Sequence, residues 1–333
     1  MRKNPEENIS YPNLGKYREE FISKGVNYPL KSLARSKKGL LSELPSTDKS
    51  GWPWNIEVPS DSYSSNIKWP KITILTPSYN QGAYIEETIR SVLLQNYPNL
   101  EYIIMDGGST DGTKDILEKY SPWISFWESE TDRGQGHAIN KGFALASGDI
   151  YGWINSDDFY LDQAFLKVSS LFKEGDFNFL YGDGLQLNEE NKTLIYEKGN
   201  LVANRYLFLG GVILQHSSFW SSGIHLPILE VLHCAVDSEL WFRLIPKAKT
   251  KHIKSPLAVS RVQPNAKTVN LKYVKMWKED NALIERIHEF DKTFFFKYVK
   301  SRFYSLEARY VQRLYKHFNK GDEFRFKKKL NYK

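Results

Sequence analysis

Cysteine is nearly missing: Cys234 is the only one in 333 residues, so no intramolecular disulfide can form, which agrees with a reducing compartment. Long hydrophobic runs are missing too. Even Gly210-Gly211-Val212-Ile213-Leu214 is stopped by Gln215-His216, well short of the roughly 18–20 apolar residues that span a bilayer. The first residues, Met1-Arg2-Lys3-Asn4-Pro5-Glu6-Glu7-Asn8, carry charge but no apolar stretch of the secretory type. Internal repeats are absent. These absences lead to the expectation of a soluble, cytoplasmic protein.

What is present is a chain with 41% hydrophobic content, enough for a substantial core, and a formal charge of +7. Such a charge invites a nucleic-acid reading, but much of the excess sits in the tail, including Lys327-Lys328-Lys329. The stretch from Asp106 to Asp158 is instead rich in carboxylates that repel a polyanion, so nucleic acid is not an expected partner. A basic tail also suits an anionic membrane surface.

Residues 1–69 mix charge with Pro, Ser and Gly and show no sustained period, which predicts short helices and loops around a main domain. The character changes at Pro70. Residues 71–76 form a β-branched run that reads as a strand ended by Pro77, and Ile85, Ile89, Val92 and Leu93 then share one helical face. A second strand over 100–105 and a helix over 113–120 follow. Further strands are expected over 123–129, 150–154, 177–181 and 192–197, with a helix over 136–145. Strand alternating with helix predicts an α/β fold with a doubly wound, mostly parallel sheet. From about Leu271 onward, aromatic and basic residues alternate at helical spacing, predicting two or three C-terminal helices. The expected division is an N-terminal extension over 1–69, a catalytic domain over 70–270 and a basic, aromatic extension over 271–333.

Ligands of open α/β sheets bind beyond the carboxyl ends of the strands, and the polar residues accumulate there. Thr76-Pro77-Ser78-Tyr79-Asn80 follows the first strand, residues 106–113 (Asp-Gly-Gly-Ser-Thr-Asp-Gly-Thr) the second, and Asn155-Ser156-Asp157-Asp158 a later one. Each segment alone also reads as a capped turn or loop. Asp132 to Gly142 offers cations and flexible backbone at a helix start, suited to phosphates. Asp157-Asp158 is sharper, because adjacent carboxylates after an apolar strand repel each other unless a hard cation such as Mg²⁺ or Mn²⁺ neutralises them. Asp237 sits near a helix start, either as a stabilising first-turn carboxylate or as a general base for an attacking hydroxyl. His216 reads either as a structural histidine with satisfied hydrogen bonds or as a residue facing an acceptor cleft.

In this order the segments resemble family 2 glycosyltransferases, inverting enzymes with the glycosyltransferase-A fold, over roughly residues 71–267. The resemblance implies a metal-dependent, hexosyltransferase-like enzyme. It would move a sugar from a nucleotide-diphosphate donor to a glycan or lipid-linked acceptor in polysaccharide or glycolipid assembly. Pro77, Tyr79 and Asn80 would line the nucleotide pocket, and Asp106 would hold the base. Asp132, Gln135, Asn140, Lys141, Asn155 and Asp157 would surround ribose and phosphates. Asp158, with Asp157, would bind Mn²⁺ or Mg²⁺, and Asp237 would be the catalytic base. Two positions depart from the family pattern: Asn155 opens the acidic motif without a charge, and Gln263 stands where many relatives carry a histidine. Those departures keep open a nucleotide-sugar-binding protein without turnover, and the basic tail keeps open a membrane adaptor. The C-terminal helices could rest on the inner leaflet as a peripheral contact, pack on the catalytic domain, or meet a partner subunit. No processive Gln-x-x-Arg-Trp signature occurs, which favours single-sugar transfer.

Overall fold

The computed structural model describes residues 10–33, 38–199, 213–263, 267 and 270–287. β1 (Ile72–Ser78) lies between β2 (Leu100–Asp106) and β4 (Ile150–Trp153), and β3 (Phe126–Ser129) flanks β2, all of them parallel. Between these strands run α2 (Ile85–Leu93), α3 (Thr113–Tyr120) and α4 (Gln135–Leu145). β1 and β2 are buried at every residue, which explains why apolar residues predominate on both of their faces. Ile72, Ile74, Tyr102 and Ile104 join Ile85, Ile89 and Val92 of α2 and Leu117 of α3 on one face. The alternate residues Leu75, Ile103 and Met105 meet Ile139 and Phe143 of α4 on the other. Helices therefore cover both faces, as a doubly wound sheet requires.

The strand predicted to end at Pro77 runs through it to Ser78. The reason lies in the pairing. Leu75 turns its carbonyl to Ile154 on the β4 side, whereas Ser78 turns its own to Gly107 on the β2 side. By alternation Pro77 faces the β4 side, where pairing has ended at Leu75 and Trp153, so its missing N–H costs no ladder bond. The strand expected from residue 123 starts instead at Phe126, after a 3₁₀ turn over Ser121–Trp123.

The second half of the sheet mixes directions. β8 (Ser218–Ser221) is antiparallel to β4 and to β6 (Phe179–Asn188), and β6 then pairs in parallel with the long β9 (Thr250–Val262). β5 (Phe159–Tyr160) closes the far edge against β9, and β7 (Thr193–Glu197) forms a hairpin with β6. The β6–β9 register shifts around Asp183. The carboxylate there accepts from Gly199 N at 2.9 Å, from the Tyr196 hydroxyl, and lies 2.8 Å from His252 Nε2.

α1 (Leu14–Ser23) packs Phe21 into the α4 face. Residues 40–58 lie over the α2 face, held by the buried Arg90, which donates to the carbonyls of Pro45, Pro53 and Trp54 and to the Tyr120 hydroxyl. α5 (Ala164–Glu174) adds Phe165 and Val168 to the α2 face, and two later helices, α6 (Val236–Leu244) and α7 (Val274–Ile287), complete the α4 face through Leu240, Leu244 and Ile284. Further C-terminal helices expected from the sequence lie outside the described residues. No described helix is long and apolar enough to cross a membrane.

Candidate active site

The carboxyl ends of β1, β2 and β4, the last residues of β9 and the starts of α4 and α6 surround a cavity of ≈ 780 Å³. Of the residues singled out in the sequence, Pro77, Tyr79, Asp132, Gln135, Asn155, Asp157, Asp158 and Asp237 line it together. Tyr79 presents an exposed ring, 62% accessible, at the rim above Gly107 and Gly108.

The acidic turn after β4 is held from three directions. Thr88 of α2 donates its hydroxyl to the carbonyls of Ser156 (3.0 Å) and Asp158 (2.6 Å). Arg261 of β9 donates its backbone N–H to Asp158 Oδ1 (2.8 Å) and its Nε to the Asp157 carbonyl (2.7 Å). Its guanidinium is spent elsewhere, on Glu87 and Glu189. Gln263 donates to Asp157 Oδ2 at 2.9 Å. Asn155 Oδ1 accepts from Trp153 Nε1 (2.9 Å) and from Gln135 Nε2 (3.0 Å), while Asn155 Nδ2 donates to Asp158 Oδ2 (3.3 Å).

Asp158 is 5% exposed, and burial first, then the neighbouring Asp157 charge, push its carboxyl well above the usual range. A cation between the two carboxylates would relieve that cost. The donors are hard oxygens suited to Mn²⁺ or Mg²⁺, and among the described residues no cluster of three or more His, Cys, Asp or Glu side chains forms a metal cage. The pair therefore fits a cation that takes its remaining oxygens from a ligand and water.

Asp237 lies across the cavity in the first turn of α6, and its Oδ1 accepts from Ser238 N at 2.8 Å. Burial raises its carboxyl above the ordinary value, toward the range where a base works near neutrality. The turn before α6 is anchored from a distance: Asp280 of α7 accepts from the backbone N–H groups of His233 (2.9 Å), Cys234 (2.6 Å) and Ala235 (3.0 Å) through one carboxylate oxygen. Neighbouring Glu239 is turned away, accepting from Tyr11 and Arg243. His216 also lines the cavity. Its Nε2 has no hydrogen-bond partner among the described residues, and burial lowers its pKa to about 4, so the ring is neutral. The buried Nε2 packs against Gly184.

Four expected residues stand outside the lining. Asp106 accepts from Ser109 N and from the hydroxyls of Ser109 and Ser129, shaping the turn that carries Gly107 and Gly108. Asn80, at φ 52°, accepts from Thr110 N and ties the β1 end to that same turn. Asn140 joins α4 to the segment before α6, donating to the Ile228 carbonyl (2.8 Å) and to Glu230 (3.0 Å). Lys141 pairs with Glu128. Helix periodicity explains the last two: Gln135 and Ala138 lie on the cavity face of α4, and residues five and six positions beyond Gln135 are rotated away from it.

Sequence reasoning missed Gln186, Gln215, Arg261, Lys267 and Trp277 among the lining residues. Of these, Gln215 stood next to His216 and Arg261 two positions from Gln263, both already singled out. The ammonium of Lys267 donates to Gln135 Oε1 (3.0 Å) and to the His233 carbonyl (2.7 Å), and Trp277 Nε1 donates to the carbonyl of Lys267 itself (3.1 Å). Burial lowers the Lys267 pKa from its usual value.

The mixed α/β fold with its curled sheet is also that of solved glycosyltransferases. The mannosyltransferase PcManGT from Pyrobaculum calidifontis, solved with GDP-Man and Mn²⁺, shares the fold at TM-score 0.52 and 14% identity, over 89% of this chain and 81% of that one. The family model described as Glycosyl transferase family 2 matches residues 73–231. Curated relatives agree. TuaG of Bacillus subtilis (strain 168), described as a teichuronic acid biosynthesis glycosyltransferase, is 28% identical over 253 residues, 70% of this chain and 96% of the relative. An uncharacterized glycosyltransferase of Mycobacterium tuberculosis is 31% identical over 160 residues, 46% of this chain and 60% of the relative. The fold class is thus the glycosyltransferase-A fold. The family 2 glycosyl transferase match thus lies over residues 73–231, and the chain is a glycosyltransferase.

Proposed function

We propose that this glycosyltransferase transfers one sugar, with inversion, from a nucleotide-diphosphate donor to an acceptor hydroxyl in polysaccharide or glycolipid assembly. The observation that carries the reading is the convergence of Asp157 and Asp158, at a strand end, with Asp237, on a helix some eighty residues later, around one cavity. The TuaG likeness supports a glycopolymer setting, and the GDP-Man and Mn²⁺ held by PcManGT support a nucleotide donor with a divalent cation.

In this reading Pro77 and Tyr79 flank the nucleoside, with the exposed Tyr79 ring offering a stacking face. Asp106 and Asn80 act one step back, by fixing the 106–111 turn that walls the nucleoside side. Asp132, Gln135 and Asn155 supply hydrogen bonds toward ribose and diphosphate. Asp157 and Asp158 would hold Mn²⁺ or Mg²⁺, which when bound supplies Lewis-acid stabilisation of the departing diphosphate. Asp237 takes the acceptor hydroxyl's proton onto its carboxylate, and direct attack from its side of the cavity inverts the anomeric carbon. His216 belongs to the adjoining wall, on the acceptor side of this reading.

The test is nucleoside-diphosphate release from a panel of UDP- and GDP-sugars with Mn²⁺ and with a chelator, on the wild type and Asp237→Asn. Release by the wild type that needs Mn²⁺ and is lost in Asp237→Asn supports the reading. Donor binding with no release in either protein would identify a nucleotide-sugar-binding protein without turnover.

A further inference from the structure

The charged side chains lining the cavity are unevenly provided for. Asp132, Asp157, Asp158 and Asp237 bring negative charge. Arg261 brings positive charge, but its guanidinium is engaged by Glu87 and Glu189. Lys267 is different. Its ammonium rests on two neutral oxygens, Gln135 Oε1 and the His233 carbonyl, with no carboxylate among its ion-pair partners in the described structure. Asp280, Asp157 and Asp237 act on it only from beyond ion-pair distance, and a half-buried ammonium without a direct ion pair gains when an anion arrives.

The position of this cation is built. Trp277 of α7 fixes the Lys267 backbone through its indole N–H, and α7 is itself pinned by the three N–H groups of residues 233–235 that converge on Asp280. The His233 carbonyl in turn receives the Lys267 ammonium, so Lys267, α7 and the turn before α6 close on one another. From Lys267 the contacts run through Gln135 (3.0 Å) to Asn155 (3.0 Å) and on to Asp158 (3.3 Å), which sets the cation and the acidic pair at two ends of one polar row.

We infer that Lys267 is a phosphate-binding residue of this enzyme, its ammonium leaving the Gln135 and His233 oxygens to meet the donor's diphosphate opposite the Asp157–Asp158 pair. The inference rests on the donor reading given above. It predicts that Lys267 matters for ligands that carry a diphosphate and not for the nucleoside alone.

The experiment is calorimetric titration of the full-length chain with UDP, GDP and the matching nucleosides, in the presence of Mg²⁺, for the wild type, Lys267→Met and Lys267→Arg. Lys267→Met is expected to lose roughly tenfold or more in affinity for the diphosphate that the wild type binds, as removal of a charge-assisted contact does. Its nucleoside affinity should be unchanged, and Lys267→Arg should keep most of the diphosphate affinity. Should Lys267→Met not fold, Lys267→Gln, which keeps a donor toward His233, takes its place. Equal diphosphate affinity in the wild type and the neutral variant overturns the inference while leaving the donor reading intact. A wild type that binds neither diphosphate overturns the donor reading and this inference with it.

Discussion

The two halves of the sheet are assembled from different distances along the chain. β1, β2 and β3 pair with neighbours reached through a single helix or loop, and β4 then returns to β1, all within residues 72–153. β5, β6 and β8 are closed by partners far away: Phe159 and Tyr160 pair with Val259 and Ala258, and β6 with β9. The first half supplies the nucleoside side of the cavity and the turn that holds Asp157 and Asp158. The second supplies Asp237, Arg261, Gln263 and Lys267. Local assembly builds a ligand platform, and long-range assembly brings the reactive groups to it.

The sharpest way to break that division is Asp237→Asn, a change confined to the second half. Turnover should fall by about 10²–10⁴-fold, the usual contribution of a general base, while nucleoside-diphosphate affinity and melting temperature hold. A parallel collapse of donor affinity would show that the halves do not divide binding from chemistry.

Next in size is Arg90→Met in the first half. It leaves the carbonyls of Pro45, Pro53 and Trp54 without their donor, and should cost about 3 kcal/mol or more in urea unfolding. Activity per folded molecule should be retained, because Arg90 does not line the cavity.

A smaller effect sharpens the contact between halves, where Arg261 meets Asp158. Burial raises the Asp158 and Asp237 carboxyls, so the folded state binds their protons more tightly than the unfolded one. Stability from these two groups is therefore present at acid pH and is lost as pH rises from the ordinary carboxyl range through the raised values. Mn²⁺ removes much of that cost at the Asp157–Asp158 pair. Its thermal shift should be larger at pH 8 than at pH 5, by roughly 2–4 °C for each kcal/mol relieved. Comparing Mn²⁺ with chelator at each pH cancels the opposite trend from Asp111 and Glu230, whose carboxyls are lowered by their hydrogen bonds against the cost of burial. Asp158→Asn, which keeps an acceptor for the Arg261 N–H, should abolish the difference. An equal Mn²⁺ shift at both pH values would count against the pair as the cation site.

The smallest effect belongs to the surface of the first half. The exposed Lys114–Glu118 pair, 3.8 Å apart, should contribute about 0.5 kcal/mol or less, so Lys114→Ala should leave the urea midpoint almost unmoved.

The same contrast decides what was legible in the sequence. β1, α2, β2 and α3 were readable because each is a periodic run closed by local punctuation, and the polar residues after each strand lie where the topology puts ligands. Pro77 misled only because its harmlessness depends on β4 ending at Trp153, a fact of pairing and not of sequence. Asn140 and Lys141 stood in a segment read as one phosphate site, but helical rotation separates them from Gln135. Asp237 was legible as a carboxylate at a helix start. Lys267 and Trp277 were not, because no local pattern marks a lysine whose partners are residues 135 and 233, or a tryptophan whose partner is that lysine.

The single Asp280 oxygen that gathers three successive amides ahead of α6 has a practical corollary. A shortened version ending near residue 270 would retain every described strand yet strip the Asp280 side chain that collects those amides, along with the indole that seats Lys267. Such a fragment would keep its sheet and lose the alignment of its reaction centre, so the minimal working enzyme extends at least through Asp280.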